Sequence, residues 1–138
     1  MRQLLDAFKM FEYYNPNPDG SDNNDCVIRA LTKILNKSWE DVYWELAELG
    51  FLMHDMPSVN KVWDECLRRY GFYRNVIPNM CPTCYTVLDF CRDHPTGKFV
   101  LATGSHVVAV VNGDYYDSWN SGNMEDNNLW LSQMKTTW

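Results

Sequence analysis

An excess of positive charge is the first thing that this sequence lacks. Its twelve lysines and arginines are outnumbered by eighteen aspartates and glutamates, which leaves a net charge of −6, and they are scattered along the chain. A nucleic-acid-binding protein normally carries a basic face, because neutralising phosphates supplies most of its non-specific affinity. We therefore expect no nucleic-acid partner.

The sequence also lacks a long apolar run. No stretch approaches the roughly 18 apolar residues of a membrane span, so we expect no membrane partner. The first residues, MRQLLDAFKMFEYY, are interrupted by Asp6, Lys9 and Glu12, unlike the apolar core of an export signal. Five cysteines, an odd number, cannot all pair with one another. Together these features predict a cytoplasmic protein with reduced thiols.

Internal repeats, low-complexity tracts and interdomain linkers are missing as well. What is present is apolar material: 46% of the 138 residues are hydrophobic, and six Trp, eight Tyr and six Phe are among them. A chain of this length can bury one core of its own, whereas two separate domains would each be marginal. We expect residues 1–138 to form a single domain.

Helical patterns occupy the first two thirds of the chain. A dense turn region, NPNPDGSDNND, ends at Asp25, a residue type that favours the N-cap position of a helix. The spacing of apolar residues after it predicts four helices. They start at Cys26, Ser38, Ser58 and Thr86 and end at Asn36, Gly50, Tyr70 and Asp93, respectively.

Strand patterns follow the helices. The segments KFVLAT, HVVAVV and DYYDSW are rich in valine and aromatic residues, NLWLSQM is a further strand, and FYRNVIP is a short extended piece earlier in the chain. Asn112-Gly113 is a strong signal for a type I′ hairpin turn. This order predicts an α+β domain in which N-terminal helices pack on a C-terminal antiparallel β-sheet.

The predicted hairpin brings a histidine and a carboxylate together. A two-residue turn pairs Val111 with Asp114, Val108 with Asp117 and His106 with Trp119. Side chains alternate between the two faces of a strand, so these last four residues share one face with Tyr115, and Asn120 lies on the other. Asp117 then lies diagonally across from His106, roughly 7–8 Å away at the backbone and within reach of an imidazole. We therefore predict that Asp117, and not Asn120, orients the His106 ring.

Cys26 stands at the first position of a predicted helix, directly after a polar turn. There the helix dipole lowers the pKa of a thiol and favours the nucleophilic thiolate. In a catalytic triad Cys26 would attack a carbonyl carbon, His106 would pair with the thiolate and protonate the leaving group, and Asp117 would fix the imidazole tautomer. The backbone N–H of Cys26 is a natural oxyanion donor. The alternative is that Cys26, like Cys66 and Cys91, is a small buried apolar residue.

The segments that carry these residues resemble a known family. NDCVIRALTKILNKSWEDVYWEL, joined to GSHVVAVVNGDYYDSWNSG, is similar to the small papain-like cysteine peptidase domains of the bacteriocin-processing type found in bacteria and their phages. The resemblance implies a papain-like fold with Cys26 as nucleophile, His106 as base and Asp117 as orienting acid. It also implies hydrolysis of a peptide, isopeptide or related amide bond in a protein or peptide substrate, without a cofactor.

One position departs from the pattern of that family. Such enzymes usually place a glutamine about six residues before the cysteine as an oxyanion donor, and residue 20 is Gly20 here. Asn23 or Asn24 could donate an amide in its place. The departure leaves open a second function, a catalytically inactive papain-like binding module, for instance a phage-encoded protein that grips a host protein.

A third hypothesis concerns metal. Cys81, Cys84, Cys91 and His94 spell C-x2-C-x6-C-x2-H, and pairs of Cys and His at two-residue separations are typical of tetrahedral zinc sites. The middle spacing is short for a zinc finger, and Cys91 lies on the apolar face of a predicted helix. We therefore expect no metal centre and keep a structural zinc as an alternative.

Overall fold

The computed structural model describes residues 10–77, 85–103 and 105–123 together with the backbone of a strand at residues 129–134. The helices in this part of the chain are α1 (Cys26–Leu35), α2 (Trp39–Met53), α3 (Asn60–Arg69) and α4 (Val87–Asp93). The strands are β1 (Phe11–Tyr13), β2 (Phe72–Ile77), β3 (Lys98–Ala102), β4 (Val107–Val111), β5 (Asp114–Asp117) and β6 (Leu129–Met134). The predicted α+β class is confirmed.

The strands form one sheet in the order β1-β5-β4-β3-β6-β2. The β3-β4, β4-β5, β3-β6 and β2-β6 pairs are antiparallel, as predicted, but β1 runs parallel to β5 at the edge, so the sheet is mixed. Strand β1 was not predicted from the sequence, because three residues are too few to show an alternation of polar and apolar side chains. The last strand, β6, lies inside the sheet between β3 and β2.

Helix α1 begins at Cys26, as predicted, and ends where Asn36 adopts the left-handed conformation, with φ of 56°. That conformation suits asparagine better than most other residues. Asp25 occupies the N-cap position, but its side chain makes no capping hydrogen bond. The predicted N-cap position of Asp25 is therefore confirmed, but its carboxylate accepts hydrogen bonds from Arg29 and Trp39 instead of capping the helix.

Helix α2 is longer than predicted. Ser38 caps it through a hydrogen bond that the backbone N–H of Asp41 donates over 3.1 Å, but the helix continues past Gly50 to Met53. Gly50 serves close packing rather than termination, because a Cβ there would lie 2.8 Å from the Asp55 carbonyl oxygen.

The sheet lies between two apolar clusters. On one side, α1, α2 and α3 pack with Val107 and Ala109 of β4, and on the other side α4 packs with Val108 and Val110 of the same strand. Four side chains of α3 are buried in this cluster: Val62, Trp63, Cys66 and Leu67. Helix α1 packs directly on β4, and Cys26 at its first turn lines one cleft with His106, which precedes that strand.

Candidate active site

His106 and Asp117 meet at one end of the hairpin. The hairpin register is as predicted, with Val111 opposite Asp114. His106 immediately precedes β4 and Asp117 is the last residue of β5. Nε2 of His106 lies 2.5 Å from Oδ2 of Asp117, and both side chains are buried.

The face predicted for these residues needs a correction. Val108 and Tyr115 pack against α4, whereas Asp117 reaches Arg29 of α1 on the other side of the sheet. His106 immediately precedes β4 and Asp117 is the last residue of β5, so at this end of the hairpin the Asp117 side chain extends beyond the sheet to α1. The predicted contact between His106 and Asp117 is therefore present, but the alternation of side chains along the strands does not by itself explain it.

Strand β5 is also shorter than predicted. The strand ends at Asp117, and Trp119 lies beyond it, with its ring centroid 4.9 Å from that of His106. The Asn120 side chain accepts hydrogen bonds from the Tyr115 hydroxyl and from the backbone N–H of Gly122. Asn120 is thus engaged elsewhere, and the carboxylate of Asp117 is the group that contacts His106.

Cys26 lies next to this histidine. Burial by itself would raise the pKa of the Cys26 thiol, but hydrogen bonds from the His106 ring and from the backbone N–H of Val107, together with the positive charges of His106 and Arg29, hold that pKa below its ordinary value. Since Nε2 of His106 is bonded to Asp117, Nδ1 is the ring nitrogen left for the sulfur. The first turn of α1 and the start of β4 therefore place a thiol and an imidazole together.

The other described cysteines differ sharply from Cys26. Burial, with the Glu45 carboxylate nearby, raises the pKa of Cys66 to about 12, and burial near Asp114 raises the pKa of Cys91 to about 12. Such thiols stay protonated at neutral pH and are poor nucleophiles. Among the cysteines in the described ranges, Cys26 alone has a lowered pKa.

The pKa of the His106 imidazole is shifted in the opposite direction, upward. Burial favours the neutral ring, but hydrogen bonds to Asp117 and Cys26 outweigh it and raise the pKa of His106 to about 9. The opposite shifts of Cys26 and His106 favour a thiolate-imidazolium pair at neutral pH. This charge distribution is the one that a nucleophilic cysteine requires.

Asp117 is also held by neighbouring groups of its own loop. Oδ2 also accepts a hydrogen bond of 2.6 Å from the Ser121 hydroxyl, and Oδ1 accepts one of 2.8 Å from the backbone N–H of Ser118. Burial would raise the pKa of Asp117, but these donors and His106 lower it. The carboxylate therefore stays ionised and fixed in orientation opposite the imidazole.

Arg29 completes the surroundings of Asp117. Its Nε and Nη2 atoms both lie 3.2 Å from Oδ1 of Asp117, and Nη1 donates to Asp25 Oδ1 over 2.9 Å and lies 3.6 Å from Asp22. The side chain is only 2% exposed. The sequence did indicate that Arg29 lies beside Cys26, because it follows Cys26 by three positions and so shares its helix face. Nothing local indicated that the face would be buried against three carboxylates.

The predicted oxyanion candidates take different positions. Asn24 lines the cleft of about 320 Å³ that holds Cys26 and His106, whereas Asn23 lines a neighbouring pocket. Asn24 has φ of 59°, a left-handed conformation that asparagine tolerates. Of the two residues, Asn24 is therefore the one that shares a cleft with Cys26.

Two of the four alternative zinc ligands, Cys91 and His94, lie in the part of the chain that the structure describes. Cys81 and Cys84 lie outside the described residues. Nδ1 of His94 lies 3.0 Å from the Phe90 carbonyl oxygen, the His94 ring stacks on that phenyl ring, and Cys91 is buried in the core. Within residues 10–77, 85–103 and 105–123, no three side chains of the metal-binding types cluster.

Two further observations concern the chain as a whole. None of the helices in the described ranges combines the length and the apolar character needed to cross a bilayer. Comparison with protein-family models, curated proteins and solved structures found no match to this chain.

Proposed function

We propose that this protein is a papain-like cysteine hydrolase that cleaves a peptide, isopeptide or related amide bond with Cys26, His106 and Asp117. The observation that carries the proposal is that Cys26, at the start of α1, shares a cleft with His106, whose ring lies 2.5 Å from the buried Asp117 carboxylate. The opposite pKa shifts of Cys26 and His106 agree with this geometry. A papain-like arrangement, with the nucleophile at the start of a helix that packs on a sheet, is part of the proposal.

The chemistry follows from these positions. The Cys26 thiolate attacks the carbonyl carbon, and the backbone N–H of Cys26, which has no carbonyl partner within the helix, stabilises the oxyanion. His106 then donates its proton to the leaving nitrogen, and a thioester remains on the sulfur. The neutral imidazole next takes a proton from water, which attacks the thioester and releases the acid. The sulfur leaves as thiolate, and the ion pair is restored.

The pH dependence of hydrolysis tests this proposal. As the pH increases, we expect kcat/KM to rise first, because Cys26 loses its proton at a pH below the ordinary thiol pKa of roughly 8.5. It should fall again as the pH passes about 9, where His106 loses the proton that the leaving group needs. Stopped assays with a mixture of fluorogenic peptide amides, repeated at pH values across this range, would show the bell-shaped dependence of kcat/KM on pH. A rate that only climbs with pH through both values would contradict the assigned roles.

Asn24 is expected to act as an oxyanion donor. Replacing Asn24 with glycine removes the amide and keeps a residue that tolerates the positive φ, so backbone strain does not confuse the result. We expect kcat to fall roughly 100-fold with little change in KM, the usual effect of losing one such donor. Asn36→Gly is the matched control, because Asn36 also has a positive φ, of 56°, and lies at the other end of α1, and it should keep most of the activity. Equal losses in the two variants would remove Asn24 from the mechanism.

A binding module on the same scaffold is the second candidate. Four large apolar side chains on or just after α2 are 60–80% exposed: Trp44, Phe51, Leu52 and Met56. Exposed apolar groups of this kind are typical of protein-binding surfaces. If binding is the whole function, Cys26→Ala will keep the full biological effect and Phe51→Glu will lose it.

A further inference from the structure

Arg29 connects the segment that carries the nucleophile to the segment that carries the triad acid. Its Nη1 atom donates to Oδ1 of Asp25, the residue directly before Cys26, over 2.9 Å. Its Nε and Nη2 atoms both lie 3.2 Å from Oδ1 of Asp117, at the end of β5. Arg29 itself lies about one helical turn after Cys26. One guanidinium thus joins the start of α1 to the end of β5.

The two oxygens of the Asp117 carboxylate have separate partners. Oδ1 faces both nitrogens of Arg29 and accepts a hydrogen bond from the backbone N–H of Ser118. Oδ2 lies 2.5 Å from Nε2 of His106. Because a guanidinium presents its donors in a fixed plane, its contact with Oδ1 restricts the rotation of the carboxylate and so sets the direction of Oδ2. The imidazole held by Oδ2 then presents its other nitrogen to Cys26.

The guanidinium is engaged by protein groups and not by solvent. Although Arg29 lines the active-site cleft of about 320 Å³, its side chain is only 2% exposed, and Nη1 also lies 3.6 Å from Asp22. A second link joins the same two segments, because the Ser118 hydroxyl donates to Oδ2 of Asp22 over 2.9 Å. Arg29 therefore acts on the reaction through Asp117 and His106, and not by contact with the substrate.

The charge of Arg29 acts in the same place. Three carboxylates lie within 3.6 Å of the guanidinium: Asp22, Asp25 and Asp117. Negative charges favour the protonated form of a nearby thiol. Burial also raises the pKa of the Cys26 thiol, whereas hydrogen bonding to His106 and the positive charges of His106 and Arg29 lower it. Without Arg29 these carboxylates would be uncompensated in the neighbourhood of the nucleophile.

We propose that Arg29 is a positioning residue, which fixes the Asp117 carboxylate and, through it, the ring of the catalytic histidine relative to the sulfur. The proposal rests on the proposed hydrolase function and adds a residue outside the triad to its machinery. Arginine is needed at this position, because a single lysine ammonium cannot face Asp117 with two nitrogens while it donates to Asp25 with a third.

Arg29→Lys tests the orientation, because lysine keeps the charge and loses the planar set of donors. We expect kcat for cleavage of fluorogenic peptide amides to fall roughly 100-fold with KM nearly unchanged, the usual cost of a small misplacement in a catalytic constellation. Arg68→Lys is the matched control, since Arg68 also lies 3.2 Å from a carboxylate, on Asp64, but is 58% exposed. The control should cleave like wild type.

Ionisation of Cys26 gives a readout that a merely structural role would not move. Alkylation of Cys26 by iodoacetamide is followed against pH by mass spectrometry and normalised to the folded fraction from near-ultraviolet circular dichroism. We expect the midpoint to rise by about half a pH unit in Arg29→Lys, which loses the orientation, and by about one unit or more in Arg29→Gln, which also loses the charge. If Arg29→Gln does not fold, Arg29→Lys carries the test alone.

The two measurements separate this proposal from the proposed function. Wild-type kcat in Arg29→Lys, or a midpoint that does not move in the folded variants, would overturn the positioning role and leave the hydrolase intact. Absence of amide cleavage by wild type, together with a midpoint that rises in the variants, would overturn the hydrolase and leave the role of Arg29.

Discussion

Cys26→Ala is expected to abolish amide hydrolysis. The sulfur forms the covalent intermediate, and no other described cysteine has a pKa that permits attack near neutral pH, so the rate should fall by at least about a thousandfold. Cys26→Ser should lose nearly as much, because a hydroxyl in the same place is not ionised by His106. The measurement is kcat/KM on the best peptide amide, with protein purity checked by mass spectrometry.

Cys66→Ala is the matched control for this experiment. Cys66 is also a helical cysteine with a polar neighbour, since its sulfur lies 3.4 Å from Oε2 of Glu45, but it is buried away from the cleft. Its removal should leave kcat/KM unchanged. Hydrolysis at the wild-type rate by Cys26→Ala would assign the activity to another group or to a contaminant.

Arg29→Met is expected to cause the largest loss of stability. The substitution keeps the length and apolar stem of the side chain but leaves two buried carboxylates, Asp117 and Asp25, without their guanidinium partner. Breaking one side of a buried ion pair costs about 3–5 kcal/mol of unfolding free energy. Urea unfolding near neutral pH would measure it. The loss should shrink as the pH falls, because protonation removes the uncompensated negative charge.

The control for Arg29 is Arg68→Met. Arg68 also contacts a carboxylate at 3.2 Å, on Asp64, but its side chain is 58% exposed. An exposed pair of this kind contributes about 0.3–0.5 kcal/mol, so the variant should unfold almost like wild type. Similar losses for the two variants would mean that burial of the Arg29 cluster does not matter. A partial recovery in Arg29→Met/Asp117→Asn would tie the loss to the Asp117 charge.

Local signals were sufficient for the elements that present the site. The polar turn before Cys26 fixed where α1 begins, and Asn112-Gly113 fixed the register of the hairpin. Those two features bring His106 and Asp117 to one end of the hairpin. The choice of Asp117 over Asn120 also agrees with the observed contact, which forms where β4 starts and β5 ends.

The features that could not be predicted from the sequence depend on contacts between residues that are far apart in the chain or in separate elements. Gly50 resembles a helix stop in sequence, and only the nearby loop at Asp55 explains why a glycine is needed inside α2. The inner position of β6 depends on pairing with β2, far away in the chain, which no local pattern encodes. Arg29 belongs to the same class, because its partner Asp117 is 88 residues away.

The ionisation of Cys26 is the claim on which the proposed function depends, and ultraviolet titration of the thiolate tests it most directly. The absorbance of wild type minus that of Cys26→Ala, followed against pH, isolates this sulfur from the other four cysteines. We expect the difference to appear with a midpoint well below the ordinary thiol value of roughly 8.5, and to shift upward when His106 is replaced by glutamine. A midpoint at or above that ordinary value, unmoved by His106→Gln, would contradict the account.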